Sequence, residues 1–121
     1  MTAAPAAELP NPARDPDAGS YVARDRRIAN DPFLRTYVER LKMLTPAGTL
    51  EKIKAMAEPD LIDLHFSYGV GIRNAWLWGN QEPALIDFFR ARGIDHPDGM
   101  SRVLIRALWM HLNGRLPLDK N

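Results

Sequence analysis

Seven residues hold most of the polar chemistry that this chain places among apolar neighbours. His65, Tyr68, Arg73, Asn74 and Trp78 fall within one short stretch, and His96 and Asp98 follow at a later Pro-containing start signal. Arg73 sets the terms. It shares a helical stripe with Phe66 and Gly69, and an unpaired buried guanidinium is very costly. It therefore needs a carboxylate or several carbonyls. Asp63, Asp87, Asp95 and Asp98 are the candidate partners. Two readings follow: a site for an anion or carboxylate, or an internal tie that fixes a loop to the core. Asn74 is expected to cap or bridge a loop in the same network. Trp78, next to Gly79-Asn80, is expected at a helix end and partly exposed, and exposed tryptophan and arginine often anchor interfaces.

Other chemistries find less support. His65, His96 and His111 are the only histidines. Three imidazoles can hold zinc, but no pair shows i, i+4 spacing, so no metal and no cofactor is expected. On its apolar face, His65 reads as a hydrogen-bonded core histidine. Gly69 and Gly71 form Gly-x-Gly without a preceding strand or a third glycine, which leaves it almost no weight as a dinucleotide signal. The structural reading of these glycines is close approach of another helix or a kink; the functional reading is backbone exposed to a ligand. No serine or threonine sits in a nucleophile motif and no aspartates form a recognisable pair, so enzyme activity has little support.

Composition bounds the rest. The chain has 121 residues, 45% hydrophobic and 26% charged, with net charge +1. That is one ordinary domain, without the field that marks a nucleic-acid or membrane-surface protein. Without cysteine there are no disulfides or thiolate metal sites, which fits a reducing compartment. No apolar run approaches a membrane span. The first twenty residues are rich in Ala and Pro but lack a basic start and an apolar centre, so they do not read as a secretory signal. A cytoplasmic bacterial protein is the default expectation.

The elements that must position the seven residues are helical. Residues 1–20 read as a disordered tail, and residues 21–118 as one helical domain. The charged run Arg24-Asp25-Arg26-Arg27 is expected in a short helix or an arm lying on the domain. Asp31-Pro32 is a cap followed by a first-turn proline, and Phe33, Leu34, Tyr37, Val38, Leu41 and Leu44 then recur at helical spacing over 32–44. Thr45-Pro46, with Thr49, offers caps for a second helix ending before Glu58-Pro59. A third, over 59–77, is apolar on most sides and is expected to be the central one. Glu82-Pro83 starts a fourth, ended by Gly93. His96-Pro97-Asp98 opens a fifth, closed by Gly114, with Asp98 as a helix-start carboxylate or as the partner of Arg73. The expectation is an all-α, single-domain bundle of about five helices.

His65-Phe66, Gly69, Ile72-Arg73-Asn74, Leu77-Trp78, Leu85, Phe89, Gly93-Ile94, His96-Pro97-Asp98 and Met100-Ser101 together resemble a family of small bacterial proteins classed as a domain of unknown function. The resemblance covers about residues 60–112. Gly99 stands where the family pattern has a second aspartate. The resemblance implies a fold and a choice of site residues, and no activity.

The functional expectation is macromolecular binding, with a protein as partner and an inhibitor or adaptor as the form it would take. The arginine and tryptophan inventory motivates it. A small-ligand or enzymatic site around Arg73 and His65 is the alternative. Nucleic-acid binding is a second alternative, which needs arginines gathered on one face.

Overall fold

The computed structural model describes residues 21–114. The expected tail over residues 1–20, and the end of the expected domain beyond Gly114, lie outside the described residues. Among the described residues there are six α-helices and one π-helix: α1 (Tyr21–Ala29), α2 (Arg35–Leu44), α3 (Ala47–Ala55), α4 (Tyr68–Ile72) running into a π turn (Arg73–Leu77), α5 (Pro83–Arg90) and α6 (Pro97–Leu112). Short 3-10 turns at Pro32–Leu34, Glu58–Leu64 and Trp78–Asn80 link them. The all-helical expectation holds among the described residues; the expectation of five helices does not.

The difference has two sources. The charged run 24–27 forms a helix of its own, α1. The expected third helix, 59–77, is broken: a 3-10 turn ends at Leu64, and Ser67 lies far from helical geometry at φ −123° and ψ −88°. The break frees a backbone carbonyl. In an unbroken helix the His65 carbonyl would accept the Gly69 amide; here Arg73 Nη2 donates to it at 2.9 Å.

The central helix is α6, not the segment 59–77. Every residue from Met100 to Met110 except Arg102 is buried. A helix apolar all round needs cover on every side, and α1, α2, α3, α4 and the Glu58–Leu64 turn all pack on α6. Leu104 and Leu108 are fully enclosed; truncating either to alanine costs about 2–5 kcal/mol. Side chains at the end of α6 and at its C-cap, Asn113, also finish its neighbour. Trp109 Nε1 donates to Met56 O at 2.8 Å, and Asn113 Nδ2 to Lys54 O at 3.2 Å, which supplies partners to carbonyls at the end of α3.

Local signals act largely as read. The Asp31 side chain accepts the Phe33 amide at 2.9 Å. Pro83 and Pro97 occupy first helical turns. Thr45 is a correction: it caps nothing forward, and its hydroxyl donates back to Leu41 O at 2.5 Å. Between the π turn and α5 the chain reverses through two left-handed residues, Gly79 (φ 76°) and Asn80 (φ 60°), a conformation that glycine and asparagine adopt with least strain.

Candidate functional site

Arg73 is buried and its head is tied on several sides. Nη1 donates to Ser101 Oγ at 2.9 Å and lies 3.4 Å from His65 Nδ1. Nη2 takes the His65 carbonyl, and Nε lies 3.5 Å from Asp98 Oδ1. The expected partnership with Asp98 is present, but Asp98 is 51% exposed and its contact is the long one. The closest partners are neutral. Ser101, fully buried, also donates to the Asp98 carbonyl at 3.0 Å, so one hydroxyl links the arginine to the first turn of α6.

The other candidates are spread over three places. His65, half-buried, sits at the Arg73 network with its ring edge on Phe66. His96 supplies the cap of α6 that Asp98 was expected to give: its Nδ1 accepts the Asp98 amide at 3.0 Å. The exposed rings of Trp78 and His96 meet edge to face at 5.9 Å. Tyr68 faces elsewhere. Its hydroxyl lies 2.7 Å from Thr45 Oγ1; because the one Thr45 proton goes to Leu41 O, Tyr68 is the donor. Burial pushes the Tyr68 phenol above its ordinary 10.0. Asn74 is exposed, and only its carbonyl takes part, accepting from Gln81 Nε2 at 3.0 Å; the expected side-chain bridge is not formed.

Gly69 is corrected in part. Its close neighbour is less another helix than Arg73 itself. A Cβ built on Gly69 would lie 2.9 Å from Arg73 Nη1 and 3.3 Å from Leu64 O, with Ile105 of α6 behind at 3.6 Å. The glycine makes room for the guanidinium.

A second charged cluster escaped the sequence reading. Asp25, 1% exposed, accepts from Arg102 Nε at 2.6 Å, with Arg106 Nη1 at 3.8 Å. Glu58 accepts from Arg26 at 2.6 and 3.0 Å and from Arg106 Nε at 2.9 Å. The hydrogen-bonded Arg26 guanidinium holds the Glu58 carboxyl below its ordinary 4.5, against the opposing push of burial and with help from Arg106. A signal existed: Asp25, Ile28 and Ala29 share one face of α1 by i, i+3, i+4 spacing, so an acid stood on an apolar stripe.

Two concavities open on the surface of the described residues. One, about 200 Å³, lies between α1, the Glu58–Leu64 turn and α6, with Asp25, Glu58, His65, Arg102 and Arg106 in its wall. The other, about 300 Å³, is a groove between the end of α2 and α4, lined by Leu44, Tyr68, Gly71 and Ala75. Among the described residues no three His, Asp or Glu side chains gather closely enough to hold a metal ion, and no helix is long and apolar enough to cross a membrane. Arg24, Arg26, Arg40, Arg92, Arg102 and Arg106 each lie within ion-pair distance of a carboxylate.

An all-helical domain with an arginine clasped at the start of its central helix is the class that the fold and site define. The chain belongs to a family described as a domain of unknown function (DUF6794), whose sequence profile matches residues 34–112. The match runs from the turn before α2 to the last residue of α6 and leaves α1 outside it. No curated protein and no solved structure matches the chain.

Proposed function

We propose that this chain is a binding module whose partner is a protein, seated on the groove between α2 and α4. One observation carries the reading. Leu44 is 71% exposed on the groove wall, and its chain neighbour Met43 is 84% exposed. Phe66, the chain neighbour of the lining residue Ser67, is 85% exposed. Single exposed apolar residues are ordinary, but large ones on or next in sequence to the residues of one concavity favour an interaction surface. Methionine and aromatic residues are also enriched in protein interfaces. The Arg73 cluster supports a ligand site less, because the buried guanidinium already meets Ser101, His65 and Asp98.

The test uses Leu44→Asp and Phe66→Asp. Both side chains are exposed, so thermal stability should stay within about 0.5 kcal/mol of wild type. A protein retained from a native extract by the wild-type chain should be lost with each variant. A partner held equally well by wild type and both variants would remove the groove from consideration.

A further inference from the structure

We infer that the 200 Å³ concavity between α1 and α6 is a binding site for a small carboxylic acid with an apolar body, held by Arg106. It is separate from the groove between α2 and α4 and does not depend on it.

The chemistry follows from which polar groups are already used. Asp25 is buried, and both its oxygens meet arginine nitrogens: Oδ2 meets Arg102 Nε, and Oδ1 meets Arg102 Nη2 and Arg24 Nη2. Both oxygens of Glu58 are likewise occupied, by Arg26 and Arg106. The acids in the wall therefore have little left for a cationic ligand. Arg106 differs. It is 8% exposed, its Nε goes to Glu58, its Nη1 lies 3.8 Å from Asp25, and among the described residues Nη2 has no hydrogen-bond partner. A guanidinium carries five N–H donors and no acceptor. A donor left over on a cation in a cavity wall calls for an anionic acceptor, and carboxylate matches its planar fork.

The remaining wall sets the body of the ligand. Val22, Leu61, Ile62 and Ile105 line the same space. An apolar cavity of about 150 Å³ accepts benzene, so 200 Å³ suits one ring, or a short chain, with its carboxylate. It falls below the roughly 300–1,000 Å³ of drug-sized pockets, so it would not enclose a nucleotide or another large anion. The head would lie against Arg106 and the body against the aliphatic wall.

Benzoate and its neutral analogue benzamide test the inference on the full-length chain by amide NMR titration. Benzoate should shift the resonances of Val22, Leu61, Ile105 and Arg106 with a dissociation constant of about 1 mM or tighter, and benzamide should bind at least about tenfold more weakly. Arg106→Lys keeps the charge, shortens the fork, and should weaken benzoate by about tenfold as well. Shifts confined to other residues, or none, would overturn the site. Equal binding of the two probes would overturn carboxylate recognition, as would undiminished binding to a folded Arg106→Lys chain. If that variant does not fold, the comparison of the two probes on the wild-type chain decides alone.

Discussion

The guanidinium of Arg73 lies where a side chain on Gly69 would begin, 2.9 Å from the position of its missing Cβ. The two residues are one turn apart, and each accounts for the other. Arginine on this stripe can bend back to Ser101 and His65 only because position 69 carries no side chain.

This relationship makes substitutions at the two glycines of α4 act in opposite directions. Alanine is favoured over glycine inside a helix by about 0.8–1 kcal/mol. At Gly69 that gain is outweighed, because displacing the charged hydrogen bonds of Arg73 costs about 1.5–3 kcal/mol. Gly69→Ala should therefore destabilise the chain by about 1–2 kcal/mol in denaturant unfolding. In an Arg73→Met background the same change should turn neutral or stabilising, and a double-mutant cycle measures that coupling.

Gly71 is the control two residues on. A Cβ there meets nothing within 4 Å, and the residue is exposed and helical. Gly71→Ala should stabilise by about 0.5–1 kcal/mol. A loss of stability would contradict the open geometry at that position.

Ser101 and Asp98 should not matter equally to Arg73. Ser101→Ala leaves Nη1 of a buried cation without its shortest partner, and should cost about 1–3 kcal/mol. Asp98 is half exposed and its contact with Nε is 3.5 Å, so Asp98→Asn should cost at most about 1 kcal/mol. Chemical denaturation of the two variants ranks them; the reverse order would mean that charge rather than the hydroxyl holds the arginine.

Acid should weaken the fold through Glu58. Its folded pKa lies below the ordinary 4.5, because Arg26 and Arg106 hydrogen-bond the charged form. A depressed carboxyl contributes its stabilisation above the unfolded value and loses it as pH falls through the folded one. The stability gap between wild type and Glu58→Gln should be widest at neutral pH and close below pH 4.5. A gap independent of pH would show that the ionised form of Glu58 is not what stabilises the fold.

The parts of the fold legible in the sequence are those decided within a few residues. Asp31-Pro32, Pro83 and Pro97 mark helix starts because capping and proline geometry are local. The break at Ser67 was not legible, since its consequence is a side chain six residues beyond taking a backbone acceptor. The choice of central helix failed for a similar reason: segments 59–77 and 97–112 are both apolar on several sides, and only the placement of α1, α2 and α3 around α6 separates them. At the site, Arg73 and its tie to Asp98 were readable from an arginine on an apolar stripe. Ser101 was not, because a buried hydroxyl leaves no pattern in a helix. Asp25 was hidden by its own neighbours, as the run Arg24-Asp25-Arg26-Arg27 reads as a solvated charge cluster.

The position of α6 in the chain has a kinetic consequence. Each of α1 to α4 buries its apolar face on an element that comes later in sequence. During synthesis those helices lack their central packing partner until residues 97–112 have emerged, although smaller contacts such as Arg26 with Glu58 and Thr45 with Tyr68 can form earlier. Their nonlocal closure on α6 is slow relative to local helix formation. Completion of the core should therefore await the last described helix, with the nascent chain leaving the α6-facing sides of α1 to α4 exposed until that moment.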